Sequence, residues 1–225
     1  MATDLQHSDL RTERTTVKRK GFRGAYDFPT VARILDEALV CHIGFVSNGQ
    51  PFVIPTGFGR KGRTLYVHGL SVNHMLNNLE QGIPMCFTVS IVDGLVYARS
   101  GFNHSINYRS VVVLGKALPV EGEEKVEGLK CIMQHLVPDR WNDVRPPDAT
   151  EMKATAVLKI EITEASAKIR SGGPIDDDGD LALPCWAGVL PMSMVTGAPI
   201  THELVKSGTP VPDYVSGYRR PVEPM

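Results

Sequence analysis

Two polar segments of the sequence contain residue types that suit the binding of an anionic small molecule. The first comprises His68, Ser71, Asn73 and His74, and it ends where a short helix is predicted to begin. Free backbone N–H groups at a helix start, together with hydroxyl, amide and imidazole side chains, can hold a phosphate group. Ser71 or Asn73 can equally serve only to cap the helix, and the spacing favours neither interpretation.

The second segment leads directly into an apolar strand and comprises Tyr108, Arg109 and Ser110. The guanidinium of Arg109 can form a forked hydrogen bond with a phosphate or a carboxylate. An exposed structural ion pair is the commoner role of such an arginine. Lys168 and Arg170 add positive charge further along the chain. Together these groups indicate an anionic ligand.

Histidine side chains also admit haem or metal binding, and the candidates are His42, His68, His74 and His104. No two of them have the helical spacing that is typical of a pair of metal ligands, so no metal site is predicted. A single axial histidine for haem stays open. No catalytic acid or base is assigned, and His68 and His104 are the candidates for that role.

Common catalytic and nucleotide-binding motifs are missing from the sequence. It contains no Walker A motif, no GxGxxG after a strand, no HExxH and no GxSxG. The acidic run at 176–180 lacks the ligand spacing of a calcium loop and is interpreted as a solvated turn. Four cysteines form no CxxC pair, and three of them lie in apolar runs, which is typical of buried structural thiols.

Composition excludes further classes of protein. The 225 residues carry 24 Lys+Arg and 25 Asp+Glu, a net charge of −1, which argues against binding to nucleic acid. The apolar stretches are far shorter than the roughly 20 residues of a membrane-spanning helix. The first thirty residues have no apolar run typical of a secretory signal. The sequence therefore predicts a soluble, cytoplasmic protein without a membrane partner.

The hydrophobic pattern predicts short antiparallel strands with a few helices. Strands are predicted at 40–47, 51–60, 64–68, 84–91, 95–100, 108–120 and 156–162, and helices at 29–39, 73–81 and 121–136. The dipeptide Asp93-Gly94 predicts a turn between two of the strands. Six or seven short strands without a βαβ unit favour a mostly β fold with accessory helices, built as a small barrel.

Three regions are predicted along the chain. Residues 1–24 form a basic N-terminal arm, either solvated or laid across a partner subunit, and residues 25–172 form the main domain. Residues 173–225 form a C-terminal extension. Because the extension contains Trp186, Leu190 and Met192, it is expected to pack on the barrel or on a second chain.

Six segments carry a resemblance to a known family. They are RGAYD at 23–27, QPFVIPT at 50–56, LYVHG at 65–69, NYRSV at 107–111 with Gly115, ASAK at 165–168 and WAGVLP at 186–191. Together they resemble the flavin-nucleotide-binding proteins among the pyridoxamine 5′-phosphate oxidase-like split barrels, which are related to nitroimidazole reductases. The resemblance extends from about residue 14 to residue 192.

The resemblance implies a homodimer of six-stranded antiparallel split β-barrels, with one FMN at each end of the subunit interface. It places Val53, Ile54, Pro55 and Thr56 along the isoalloxazine, and His68, Ser71, Asn73 and His74 at the ribityl phosphate. Arg109 and Ser110 would add a second phosphate or substrate contact, and Tyr108 and Trp186 would supply aromatic walls. The sequence departs from its relatives at His74, where they usually carry Arg or Lys. A weaker or pH-dependent affinity for FMN follows.

The function that the resemblance implies is that of a flavin-dependent oxidoreductase acting on a small organic molecule. A haem-binding or haem-degrading split barrel is the first alternative. A non-catalytic flavin-binding protein is the second. The sequence identifies neither the substrate nor the electron donor.

Overall fold

The computed structural model describes residues 10–220, in which two antiparallel β-sheets are surrounded by short helices. The strands are β1 (Gly24–Ala25), β2 (Val40–Ser47), β3 (Gln50–Gly57), β4 (Gly59–Lys61), β5 (Thr64–Leu70), β6 (Met85–Tyr97), β7 (Ser105–Gly115), β8 (Ala117–Pro119), β9 (Thr155–Glu161), β10 (Ala165–Arg170) and β11 (Gly188–Pro191). The helices are α1 (Phe28–Glu37), α2 (His74–Leu79), α3 (Gly122–Leu136), α4 (Ala149–Ala154) and α5 (Asp213–Ser216).

The large sheet has the strand order β1-β10-β7-β6-β2-β3, and β11 pairs with the C-terminal half of β6. The small sheet has the order β4-β5-β9-β8. The chain passes from the large to the small sheet twice, from β3 to β4 through Phe58 and from β7 to β8 through Lys116. The mostly β architecture confirms the predicted fold class. The hydrogen bonds of residues 10–220 define two sheets and no closed barrel, so the six-stranded barrel is not confirmed.

Helix α1 begins and packs as its sequence predicts. The side chain of Asp27 accepts a hydrogen bond from the backbone N–H of Thr30 at 2.9 Å, and Pro29 lies in the first turn. Val31, Ile34 and Leu35 are buried and join the main core. The apolar stripe thus fixes this helix against the large sheet.

Phe58 is fully buried where the chain crosses between the sheets. Its ring meets the ring of Phe87 edge to face at a centroid distance of 5.1 Å and lies 4.5 Å from the ring of His135. The next residue, Gly59, lies directly against helix α3, since a Cβ atom there would be 2.6 Å from the backbone of Cys131. Glycine therefore permits the close approach of β4 to α3.

The turn predicted at Asp93-Gly94 is wrong. Strand β6 continues through this dipeptide, and its register with β7 shifts between Val92 and Gly94, as in a β-bulge. The carboxylate of Asp93 is buried against Arg109, and Gly94 pairs with Pro191 of β11. Because neighbouring strands hold both residues, the local turn preference does not decide the conformation.

The described part of the predicted N-terminal arm lies against its own sheet. Leu10 is buried, its N–H donates to the carbonyl of Tyr26, and its carbonyl accepts from the N–H of Ala165, both at 3.0 Å. The hydroxyl of Thr12 donates to Glu164 at 2.8 Å. Residues 1–9 of the arm, and any partner they contact, lie outside the described residues.

The C-terminal extension contacts the rest of the chain at several places, two of which involve β11 and Arg220. Strand β11 adds to β6, and the guanidinium of Arg220 donates to the carbonyls that end helices α1 and α3. Its distances are 2.6 Å to Asp36, 3.2 Å to Glu37, 3.1 Å to Ala38 and 2.5 Å to His135. One arginine therefore caps both helix ends. None of the helices in the described part has the length and apolar composition needed to cross a membrane.

Candidate functional site

Strand β3 carries the four residues that the resemblance assigns to a flavin ring. It pairs with β2 on one side, and no described strand pairs with its other side. Proline lacks an N–H group, so Pro51 and Pro55 direct their backbone nitrogens to the open side. Backbone direction alternates along a strand, so Val53 between them points the same way. The N–H of Val53 is therefore a free donor on an exposed edge, and the residue is 64% exposed.

The start of α2 lies beside this edge strand. The ring of His74 is 5.2 Å from the ring of Phe52, which follows Pro51 in β3. The side chain of Asn73 accepts from the N–H of Leu76 at 3.2 Å, so Asn73 caps the helix, as the simpler interpretation holds. Ser71 and His74 are exposed. Their contacts with a ribityl phosphate stay predictions.

His68, at the end of β5, borders a cavity of about 430 Å³. The other lining residues are mostly apolar and come from α3, α4 and the segments next to them: Leu129, Ile132, Met133, Leu136, Val137, Trp141, Pro147, Glu151 and Thr155. Although part of the side chain reaches solvent, burial lowers the pKa of His68. The imidazole is therefore neutral at pH 7, with a lone pair free to accept or to ligate.

The single carboxylate of this cavity is already paired. The guanidinium of Arg145 donates to Glu151 at 2.6 and 2.8 Å, and the backbone N–H of Asp148 donates to it at 2.9 Å. These bonds hold the pKa of Glu151 at about 2, with the Arg145 bond the larger cause. The cavity therefore presents His68 as its titratable group. The sequence pattern did not indicate this cavity because its walls come from segments far apart in the chain.

Arg109 lies elsewhere and faces inward. It donates to Asp93 at 2.9 and 2.6 Å and to Glu37 at 2.8 Å, with a further bond to Glu37. The three side chains are between 8% and 13% exposed. Hydrogen bonds from Arg109 to Asp93 and then Glu37 raise the pKa of the arginine. A phosphate would have to replace one of these carboxylates to contact Arg109. Neither carboxylate was identified from the sequence.

Tyr108 and Ser110 lie on the opposite face of β7 from Arg109, because side chains alternate along a strand. Tyr108 borders a hollow of about 670 Å³, with Ser90, Ile91, Val92, His104, Ser105 and Ile106 as the other lining residues. Strands β6 and β2 lie between β7 and β3. The separation across the sheet is therefore about 14 Å. Within one protomer the structure does not bring Tyr108 or Ser110 to the edge strand.

Trp186 lies near the C-terminal end of β6. The residue is 68% exposed. The centroid of its ring lies 5.6 Å from that of the Tyr97 ring, which lies 5.9 Å from that of the His104 ring. His104 also bonds to the carbonyl of Ser100 at 2.8 Å. His104 lines the hollow beside Tyr108, and Trp186 is connected to His104 through Tyr97, so neither lines the cavity beside His68.

Metal and thiol chemistry find little support in the described residues. Between residues 10 and 220, no three His, Cys, Asp or Glu side chains form a group that could hold a metal ion. The four cysteines are unpaired, and Cys41 is buried, which raises its thiol pKa to about 12. Cys131 is half-buried, and burial raises its pKa to about 11. Such thiols are unreactive, as predicted for structural cysteines.

Comparison with known proteins gives a consistent result. The family model described as Pyridoxamine 5′-phosphate oxidase matches residues 28–169. A search of the curated proteins finds no match. The chain is 41% identical to the flavocytochrome Anf3 from Azotobacter vinelandii, with a TM-score of 0.87 and coverage of 92% of this chain and 97% of that one.

Two further structures are similar. An FAD and haem binding protein from Mycobacterium smegmatis is 33% identical, with a TM-score of 0.84 and coverage of 87% of this chain and 96% of that one. A proposed 5-nitroimidazole antibiotic resistance protein from Bacteroides thetaiotaomicron shares the fold at 24% identity and a TM-score of 0.54, covering 65% of this chain and 86% of that one. Because the family model spans well over half of the sequence, this protein belongs to the pyridoxamine 5′-phosphate oxidase-like family.

Proposed function

We propose that this protein binds a flavin nucleotide, FMN as the resemblance predicts, and acts as a cytoplasmic oxidoreductase on a small organic molecule. The observation that carries the proposal is the similarity, over 92% of the chain, to a flavocytochrome. A bound flavin would supply the electron-transfer chemistry, and the chain would hold and orient it.

The edge of β3 supports this proposal. The N–H of Val53 is a free donor flanked by two prolines, and the carbonyl of Val53 points to the same open side. A flat ring with acceptor and donor atoms along one edge fits such a strand as an added partner. His74 lies next to this edge, with its ring against Phe52. The chain thus offers the backbone groups that the ring needs.

We also propose that the protein works as a homodimer. Of the residues assigned to the flavin, one group lies at β3 and α2 and another on the outer face of β7, about 14 Å apart across the sheet. His68 and Arg109 lie apart from both groups. One protomer alone does not bring the two groups to a single ring. A partner subunit would complete the site by presenting its β7 face to this edge strand.

The proposal is tested first by the absorption spectrum of the purified protein and by titration with FMN. We expect flavin absorption bands, quenched FMN fluorescence and a raised unfolding temperature. Val53→Pro removes the free N–H and is expected to weaken FMN binding about three- to tenfold, the value of one hydrogen bond. Val53→Ala keeps the N–H and serves as the matched control. A colourless protein whose stability and FMN fluorescence do not change would exclude flavin binding.

Haem is the second candidate because His68 borders the apolar cavity. Its volume of about 430 Å³ lies within the range of cofactor sites, and the imidazole is neutral. These residues fit a haem held by one axial histidine, with the apolar side chains of α3 around the ring. Haem would supply one-electron chemistry. The FAD and haem binding protein and the flavocytochrome both support this candidate.

A Soret band that His68→Ala abolishes and His104→Ala preserves would establish the haem site. An unchanged Soret band in the His68→Ala variant would place the haem elsewhere. Catalysis is tested separately, since a non-catalytic flavin-binding protein would bind FMN yet show no turnover with NAD(P)H and an electron acceptor.

A further inference from the structure

A cluster of five cations lies at the edge of the large sheet where β1 pairs with β10. This cation cluster comprises Arg19, Lys20, Arg23, Lys168 and Arg170. Lys168 of β10 pairs with Gly24 of β1, and Gly24 is the residue that follows Arg23 in the chain. The positive charge of Arg23 is the largest cause that lowers the pKa of Lys20, ahead of burial and the charges of Arg19, Arg170 and Lys168. The four other cations are therefore close enough to Lys20 to repel it.

The cluster has no acidic partner in the part of the chain that is described. None of its five members forms an ion pair between residues 10 and 220. Other cations do have acidic partners: Arg14 pairs with Glu164 at 2.8 Å. Arg109 on the neighbouring strand is held by two carboxylates. The positive charge of the cluster is thus left uncompensated at one place.

Arg170 is the buried member of the cluster, at 5% exposure. Its terminal nitrogens donate only to neutral acceptors, the side-chain oxygen of Asn107 and the carbonyls of Gly172 and Gly173. Its Nε is buried and has no hydrogen-bond partner. Burial, and then the charge of Arg23, lower the pKa of Arg170. A buried cation with an unused donor and no counter-charge is costly unless an anion is bound beside it.

We propose that the cation cluster is a binding site for the phosphate group of an organic phosphate. Two ammonium and three guanidinium groups suit a phosphate dianion, because it carries more negative charge and more acceptor oxygens than a carboxylate does. The organic part of such a ligand would have room next to the cation cluster. Tyr108, which pairs with Arg170 in the register of β7 and β10, borders the hollow of about 670 Å³ on the same outer face.

The test is calorimetric titration of the full chain with sodium pyrophosphate and with orthophosphate, in buffer of low ionic strength. We expect saturable binding by the wild-type protein. Lys20→Gln combined with Lys168→Gln should weaken it by at least about tenfold, because two charge-assisted contacts are removed. Lys153→Gln, which removes an exposed cation on α4, is the matched control and should bind as the wild type does.

Folding of the variant is checked without phosphate. Removing two like charges relieves repulsion, so the double variant should unfold at the same urea concentration as the wild type or at a higher one. If it unfolds earlier, Lys20→Gln alone, at an exposed position, is titrated instead and should still weaken binding. The proposal is overturned if the wild type shows no saturable binding, or if Lys153→Gln weakens binding as much.

Two further titrations identify the source of the phosphate group. If pyrophosphate competes with FMN but not with riboflavin, the cluster holds the phosphate of the flavin itself. If pyrophosphate still binds to flavin-saturated protein, the cluster holds a separate phosphorylated ligand. Either result supports the anion site. Because the first titrations contain no flavin, a failure of flavin binding would not be mistaken for a failure of this site.

Discussion

Replacing Arg109 by methionine is expected to lower the free energy of unfolding by about 3–5 kcal/mol, because two buried carboxylates lose their counter-charge. Glu37 and Asp93 are 9% and 8% exposed and share this one guanidinium. They belong to the end of α1 and to the bulge of β6, so the arginine joins a helix to the bulged strand. Urea unfolding at pH 7 measures the loss.

A triple variant distinguishes this cause from a simple loss of contacts. Combining Arg109→Met with Glu37→Gln and Asp93→Asn removes the two unpaired charges and should recover much of the loss at pH 7. A loss of less than roughly 1 kcal/mol in Arg109→Met, or no recovery in the triple variant, would contradict the role of Arg109 as a buried counter-charge.

Phe58→Ala is the second substitution with a large expected effect, again about 3–5 kcal/mol in the free energy of unfolding. Phe58 is fully buried at the crossing between the sheets, and its ring contacts those of Phe87 and His135. The substitution leaves a cavity where the buried ring packs against Phe87 and His135. Calorimetric or urea unfolding measures the loss.

Phe22→Ala is the control for that measurement, since Phe22 is 83% exposed and should change the unfolding free energy by no more than about 0.5 kcal/mol. Phe58→Leu, which keeps most of the volume, should fall between the two. Equal effects at positions 22 and 58 would contradict the assignment of Phe58 to the core.

Local periodicity predicted the elements whose burial is regular. Strand β9 (Thr155–Glu161) shows this best, since it closely matches the strand predicted at 156–162 and its alternate residues Leu158 and Ile160 are fully buried. Helices α1 and α3 were placed to within about two residues for the same reason. Where one face of an element is apolar and the other polar, the sequence alone specifies both the element and its orientation.

Elements that depend on distant partners were missed. Strand β10 is rich in small residues and β11 has four residues, so neither has a strong period, and pairing with β7 and β6 defines them. The bulge at Asp93 follows from an arginine 16 positions away. Such contacts cannot be read from local patterns.

The site shows the same division. Resemblance identified the family and the segments at β3 and α2, and the structure places His74 beside β3. The resemblance assigned Arg109 to a phosphate or substrate contact, whereas the folded chain encloses Arg109 between carboxylates 72 and 16 positions away. The cavity beside His68 and the unused donor of Arg170 emerge only once segments distant in the chain are brought together.

The cap formed by Arg220 has a consequence for folding during synthesis on the ribosome. Arg220 completes the end of α1 at Ala38, which is 182 positions earlier in the chain. At a synthesis rate of about 5–20 residues per second, the carbonyls of Asp36 and Glu37 lack this donor for roughly 10–40 s after they are made. The last turn of α1 therefore gains its full set of hydrogen bonds only after Arg220 has left the exit tunnel.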